Sequence, residues 1–206
     1  YLCLIKHMLT IIGTMKKKII FILNPISGTV SKAGIPKLIE ERLDKETFDY
    51  DIAETEYAGH ATELAKKAAE KGVDIVVAIG GDGTVNEVGR ALINTETAMA
   101  ILPCGSGNGL ARHLRLPMNL KKCIDIINMC DIHSLDYGII NQHPFFCTCG
   151  MGFDAFISMK FANAGKRGPI TYVQQVLEEG VKYIPETYEI EDEDGIQHYK
   201  AFLVSA

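Results

Sequence analysis

The chain has 206 residues, enough for one large domain or for one domain with part of a second. With 47% hydrophobic and 23% charged residues it has globular composition, which excludes an intrinsically disordered chain. Twenty-one basic against 26 acidic residues give a formal net charge of −5, which argues against broad nucleic-acid binding and charge-driven adhesion to anionic membranes while leaving local basic patches open.

Met15 stands directly before Lys16-Lys17-Lys18-Ile19-Ile20-Phe21-Ile22-Leu23, the pattern of a natural protein start, so residues 1–14 are expected to be an upstream or non-native extension. Lys6 and His7 interrupt that stretch, which is too short to span a bilayer and has no small-residue cleavage site, so export is not expected. The cysteines Cys3, Cys104, Cys123, Cys130, Cys147 and Cys149 form no CxxC pair and no zinc spacing, and are expected to be reduced thiols in a cytosolic protein. Cys147-x-Cys149 is expected to put both thiols on one face of a strand as packing groups.

Lys18 to Leu23 reads as a buried first strand, ended by Asn24-Pro25-Ile26-Ser27-Gly28-Thr29. That loop is either a ligand contact at a strand end or a plain turn. Ile35, Leu38, Ile39 and Leu43 keep helical spacing, and Tyr50 to Glu54 is a short second strand. Ala61, Leu64, Ala65 and Ala68 predict the next helix, with His60 at its start and Gly72 placed to end it.

Asp74 to Ala78 is a third, fully apolar strand but for its first residue. Ile79-Gly80-Gly81-Asp82-Gly83-Thr84 then runs into a helix marked by Val85, Val88 and Leu92. Strand, glycine turn and helix together make a phosphate site, because the glycines admit a bulky ligand and the helix start offers unpaired N–H groups. Within this turn Asp82 either sits beside a bound metal–triphosphate or bonds its own backbone, and Thr84 either caps the helix or donates to phosphate. Glu87 either orders the loop or contacts the nucleotide.

Ala98 to Leu102 is a fourth strand, and Pro103-Cys104-Gly105-Ser106-Gly107-Asn108-Gly109 is a second glycine turn opening a helix at Leu110 to Leu114. Alternation of strands and helices predicts an open, mostly parallel α/β sheet with flanking helices, with both glycine loops on the ligand-binding edge. Leu120, Ile124 and Ile127 give one more helix.

The alternation ends near residue 131. Leu135 to Ile140, a turn Asn141 to His143 and Pro144 to Cys149 read as a hairpin, and Tyr188 to Glu191, Asp192 to Gly195 and Gln197 to Ser205 as another. Helices are expected over 153–164 and 170–181, separated by residues 165–169. The domains expected are therefore 1–14 as the extension, 15–130 as an α/β nucleotide-binding domain and 131–206 as an incomplete antiparallel β-rich second domain, cut short at a strand-like end.

One ordered set of segments narrows the ligand: Asn24-Pro25-x-Ser27-Gly28, then Gly80-Gly81-Asp82-Gly83-Thr84-x-Asn86-Glu87-Val88, Pro103-x-Gly105-Ser106-Gly107-Asn108 with Ala111-Arg112, and Gly150-x-Gly152-Phe153-Asp154. As a set it resembles the diacylglycerol kinase catalytic-domain family, which includes bacterial lipid kinases and sphingosine and ceramide kinases. NAD kinases and phosphofructokinases share the glycine–aspartate turn but neither Asn86-Glu87-Val88 nor the block from Gly105 to Asn108.

The resemblance implies an NAD kinase-like first domain, ATP and Mg2+ as cofactors, and transfer of the γ-phosphoryl group to a lipid hydroxyl of diacylglycerol or sphingoid type. It implies ATP contacts from Asn24, Pro25, Ile26, Ser27, Gly28, Thr55, Gly81, Asp82, Gly83, Thr84, Val85, Asn86, Glu87 and Ser106, with Gly80, Gly105, Gly107 and Asn108 in the same loops. Asp82 would organise nucleotide or metal, and Asp154 aligns with an acidic residue that some sphingosine kinases use to hold the lipid head group. Gly109 departs from the aspartate of many bacterial members and leaves the lipid open. The family's general base and magnesium site belong to a later Asp-Gly-Glu region, expected beyond residue 206, so no metal ligands are expected within the chain.

The implied partner is a lipid at a membrane surface, reached from the cytoplasm by transient peripheral contact, with the oligomeric state open. Arg112, His113, Arg115, Lys121 and Lys122, and separately Lys160, Lys166 and Arg167, are either basic contact surfaces or solvated helix faces. Two other readings stand beside the lipid kinase: a kinase of a soluble substrate such as NAD or a sugar phosphate, and a non-enzymatic nucleotide-binding module.

Overall fold

Strand β1 (Lys17–Leu23) is the central organiser of the protein, because parallel partners flank it on both sides. The structure is a computed structural model that describes residues 15–28, 31–163, 176, 180 and 182–206. On one side β1 pairs with β2 (Phe48–Glu54), and on the other with β3 (Ile75–Gly80), which in turn pairs with β4 (Ala98–Pro103). The sheet order is β2-β1-β3-β4, and all three pairings are parallel.

Five helices pack around this sheet: α1 (Ile35–Arg42), α2 (His60–Glu70), α3 (Asp82–Leu92), α4 (Gly109–His113) and α5 (Leu120–Met129). Alternation along the strands divides their side chains between two cores. Ile19, Phe21, Leu23, Ile75, Val77 and Ile79 meet Ile35 and Ile39 of α1 and Ile124 and Ile127 of α5. On the opposite face Ile22, Val76 and Ala78 meet Ala61, Ala65 and Ala68 of α2 and Val85, Val88 and Leu92 of α3. Both faces are covered, which is why β3 is buried at every position and reads as a continuous apolar run.

Local chemistry sets the helix ends. Gly72 takes φ +67° after α2, where the Val73 N–H reaches back to Ala68 O at 3.1 Å. The Asn119 side chain caps α5 by accepting from the N–H groups of Lys121 and Lys122. Arg42 and Asp125 form a forked ion pair at 2.8 and 2.9 Å that ties α1 to α5.

The five cysteines among the described residues are free thiols. Cys123, in the α1/α5 core, donates its S–H to Pro117 O at 2.9 Å. Burial pushes this thiol from its ordinary 9.0 up to about 11, with Cys104 adding to the shift. Because the folded value is raised, the stability it contributes is intact below pH 9 and is lost as pH climbs through about 11. Urea midpoints should fall over that window, and the Cys123→Val variant, which keeps an apolar group at the site, should lose that part of the slope.

After α5 the chain turns to short antiparallel pairs: β5 (Gly138–Ile140) with β6 (His143–Phe145), β7 (Gly150–Gly152) with β10 (Leu203–Ser205), and β8 (Glu186–Asp192) with β9 (Gly195–Ala201). Helix α6 spans Phe153–Asn163. The first hairpin turns on two residues rather than three, since Asn141 and Gln142 both have positive φ and His143 already pairs with Ile140.

The expected strand through Cys149 ends at Phe145, and Cys147 and Cys149 do not share a strand face. The chain bends because Phe146 packs onto Tyr137 and against Gly89 of α3. The expected strand from Gln197 to Ser205 is likewise two. Phe202 breaks it by packing its ring on Phe153 and Tyr183, with its carbonyl accepting the Phe153 N–H at 3.0 Å. The expected segment 165–169, with Lys166 and Arg167, and Thr29 lie outside the described residues, as does the expected helix over 170–181 apart from Val176 and Gly180, both helical.

Candidate functional site

The strand order places β1 and β3 side by side while their connections leave in opposite directions along the sheet, to β2 and to β4. Such a switch point opens a crevice at the carboxyl ends of the strands. The loops after all four strands converge there. Those after β1, β2 and β4 start with a further ladder bond: Asn24 N–H to Ile79 O at 2.9 Å, Thr55 N–H to Leu23 O at 2.9 Å, and Cys104 N–H to Gly80 O at 2.7 Å. The loops are thus extensions of a buried sheet.

Asn24 organises the first loop. Its Oδ1 accepts the Ile26 N–H at 3.1 Å, its carbonyl accepts from Ser27 Oγ at 3.1 Å, and its Nδ2 donates to Thr84 Oγ1 at 3.0 Å. Thr84 is 4% exposed. Helix α3 starts from Gly81 without a side-chain cap, so Thr84 does not cap it, and its hydroxyl hydrogen stays available for another acceptor. The first intrahelical bond of α3 joins the Val85 N–H to Gly81 O, which leaves the N–H groups of Asp82, Gly83 and Thr84 at the open helix start.

The loops touch backbone to backbone. A Cβ at Gly28, whose φ is +59°, would lie 2.2 Å from Cys104 O, and one at Gly105 would lie 2.4 Å from Gly81 Cα. Asn108, at φ +56°, folds the β4 loop on itself: its Oδ1 accepts the Gly105 N–H at 2.8 Å and its Nδ2 donates to Gly105 O at 2.9 Å.

The acidic side chains bind neighbouring elements. Asp82 Oδ1 accepts the Leu110 N–H of α4 at 3.4 Å, joining the two glycine turns rather than bonding within its own. Glu87 Oε2 accepts the Ala61 N–H at the start of α2 at 3.2 Å, and the Glu87 carbonyl accepts from Thr62 Oγ1 at 3.0 Å. Glu87 therefore satisfies an orphan donor of α2 from the flank of α3.

These loops enclose a cleft of about 450 Å³. Of the residues singled out in sequence, Asn24 to Gly28, Thr55, Gly81, Gly83, Thr84, Glu87, Gly105 and Ser106 line it. Gly80 is buried at the end of β3, Val85 points into the core, and Asp82, Asn86 and Gly107 stand outside the lining. Asn108 lines a neighbouring cleft, and Asp154, in the first turn of α6, lines neither.

Sequence reasoning missed Glu56, Tyr57, Ala58 and Ala61, which complete the wall beyond Thr55. Tyr57 stacks on His60 with 4.5 Å between ring centroids and 5° between planes, and its hydroxyl donates to Glu63. That bond raises the Tyr57 pKa. An aromatic residue three positions past a strand end was the available signal. His60 belongs to the helix start, its Nδ1 accepting the Glu56 N–H at 3.1 Å.

The lining holds two carboxylates, Glu56 and Glu87, hydroxyls and helix-start N–H groups, and among the described residues no lysine, arginine or histidine. Among the described residues there is also no group of three or more His, Cys, Asp or Glu that could hold a metal ion.

Residues 18–140 match the family model described as the diacylglycerol kinase catalytic domain, which covers the sheet and every loop of the cleft. The chain belongs to this family. It is 34% identical over 134 residues to the diacylglycerol kinase of Staphylococcus saprophyticus, covering 64% of this chain and 44% of that one. With the diacylglycerol kinase of Bacillus subtilis it shares 31% identity over 140 residues, covering 66% of this chain and 46% of the other. A crystal structure of a diacylglycerol kinase from Bacillus anthracis superposes with a TM-score of 0.68 at 26% identity, covering 93% of this chain and 64% of that one. The chain spans about half the length of the curated relatives it matches. The parallel sheet with flanking helices and the small antiparallel sheets after it are the architecture expected from the sequence.

Proposed function

We propose that this chain supplies the ATP-binding half of a lipid kinase that transfers the γ-phosphoryl group of ATP to a lipid hydroxyl. The observation that carries the reading is the convergence of the loops after all four parallel strands on one cleft beside the open start of α3. In this reading the Gly83 and Thr84 N–H groups and the Thr84 hydroxyl donate to the phosphate oxygens, with Ser27 and Ser106 lining the cleft beside them. Tyr57 and Thr55 form the wall for the nucleoside. Asp82 holds the two glycine turns in register through Leu110, so its role is positional.

The donor set fits a nucleotide that arrives with its own cation, because a cleft with Glu56 and Glu87 and no basic residue among the described ones does not neutralise a triphosphate by itself. When bound, Mg2+ supplies that positive charge. The carboxylates of Glu56 and Glu87 are the residues in the cleft that would face it. What the chain itself contributes to the rate is placement of the donor in a fixed frame of backbone groups.

We divide the chain at residue 131 in this reading, with 15–130 holding the donor and 131–206 leading to the acceptor side, where Asp154 would meet the lipid head group. No helix among the described residues is long and apolar enough to cross a membrane. His113, Arg115, Lys121 and Lys122 are exposed, and we assign them to transient contact with a membrane surface from the cytoplasm.

The test has two readouts on the same protein. Titration with a fluorescent ADP analogue in Mg2+ should give saturable binding. Incubation with Mg-ATP labelled at the γ-phosphate should label diacylglycerol or sphingosine in mixed micelles and leave NAD unlabelled. Absence of nucleotide binding overturns the whole reading. Labelled NAD moves the activity to a soluble substrate, and saturable binding with no labelled product favours a non-enzymatic nucleotide module.

A further inference from the structure

A second cleft of about 270 Å³ shares Gly105 and Ser106 with the first and has the opposite electrostatic character. Its lining contains Lys32 and Arg112 and, among the described residues, no carboxylate. Lys32 lies just ahead of α1 and is only 7% exposed; its carbonyl accepts the Ile35 N–H, yet its ammonium group makes no hydrogen bond or ion pair with any described residue. A lysine is almost never buried so deeply without a partner, because desolvating an ammonium ion is costly unless an anion compensates it.

The neighbouring groups do not supply that anion. Cys104 lines the same cleft, and burial raises its thiol pKa although the Lys32 charge pulls the other way, so the sulfur stays a neutral S–H. The Asn108 amide is committed to Gly105 on both of its ends. Arg112 spends its Nε on Gly107 O at 2.9 Å, which fixes the guanidinium and leaves its Nη donors uncommitted. Ser31 Oγ accepts the Ala33 N–H, so its hydroxyl hydrogen remains available, and Ser106 adds a second hydroxyl.

We infer that this cleft is a binding site for a phosphate group, distinct from the donor nucleotide, held by Lys32, Arg112, Ser31 and Ser106. An ammonium ion, a guanidinium and two hydroxyls around one small volume match a tetrahedral dianion with several oxygens to satisfy. Met118 and Leu120 on the same wall suit the carbon portion of a phosphate monoester. The shared chemistry belongs equally to free phosphate and to the headgroup of a phosphomonoester lipid. The shared Gly105-Ser106 segment means that an anion here contacts the loop that also lines the donor cleft.

The experiment measures inorganic phosphate and glycerol 3-phosphate binding by calorimetry, and sedimentation with phosphatidylcholine vesicles with or without phosphatidic acid, on the parent chain and on Lys32→Met and Lys32→Arg. Lys32→Met should weaken binding by at least about ten-fold, the scale of a lost charge-assisted hydrogen bond, while Lys32→Arg retains most of it. Saturable, Lys32-dependent binding of the soluble probes supports a free-phosphate site, and Lys32-dependent binding only to phosphatidic acid vesicles supports a headgroup site. In phosphate-free buffer Lys32→Met should melt at a higher temperature than the parent, because an uncompensated buried charge has been removed.

Four results would overturn the inference: no binding of any probe, binding that Lys32→Met leaves unchanged, full competition between phosphate and ADP, or a lower melting temperature for Lys32→Met. ADP affinity is read on the same samples. Loss of the nucleotide reading with phosphate binding intact, or the reverse, separates the two.

Discussion

Replacing Gly105 with alanine is expected to remove the donor cleft and a sizeable part of the protein's stability together. A Cβ at this position would lie 2.4 Å from Gly81 Cα and 2.9 Å from Asn108 Oδ1. The first neighbour is backbone, and it cannot retreat cheaply. Gly80, next to it, carries the carbonyl that accepts Cys104 N–H at 2.7 Å, and the Asn108 side chain is bonded to Gly105 on both ends. Relief therefore means breaking the ladder extension or the Asn108 loop, a cost of about 2–3 kcal/mol on the scale of overpacking in a rigid interior. Either movement separates the two glycine turns, so nucleotide affinity should drop by more than about ten-fold. Urea unfolding and ADP titration of the same preparation check both, and a parent-like midpoint would mean that the turns are not in the contact described.

The Gly83→Val variant should dissociate these two effects. Nothing lies within 4 Å of a Cβ at Gly83, which stands in the first turn of α3 and lines the cleft. The fold has room for the side chain, and valine is a better helix former than glycine by a few tenths of a kcal/mol, so the unfolding midpoint should stay level or rise slightly. The added methyl groups would occupy the space from which the helix start meets a phosphate. Nucleotide affinity should fall about a hundred-fold, which is about 2.7 kcal/mol, with stability unimpaired. An ADP affinity equal to the parent's would show that the phosphates do not approach α3 there, and the proposed donor site would have to move.

Most of the α/β half was legible because its signals are local. After its first residue the Asp74 to Ala78 run is apolar on both faces, as a strand covered by helices on both sides must be, and β3 starts one residue later than expected and runs two residues further. The later half was less legible because its strands are short and their boundaries depend on distant contacts. Phe146 leaves the hairpin to meet Gly89, and Phe202 divides a strand by packing on Phe153, contacts that strand periodicity does not encode.

The glycine turns themselves were readable from residue type, since glycines between a β-branched strand and an apolar helix already imply close approach of some partner. Sequence by itself determined the element order of the α/β half, its parallel sheet, the family and the set of loops at the carboxyl edge. Which donors each loop residue meets was decided by tertiary structure. Asp82 stands in a glycine turn in sequence, and the fold brings the N–H of Leu110, 28 residues on, to its carboxylate. Glu87 stands one turn inside a helix in sequence, and the fold brings the start of α2 beside it. Lys32 carries no sequence signal, and the fold places it, buried and with no ion-pair partner among the described residues, beside the β4 loop in a second cleft. Local patterns specify which backbone conformations are cheap, whereas a polar side chain's role depends on which donor or charge the fold brings within about 3 Å of it.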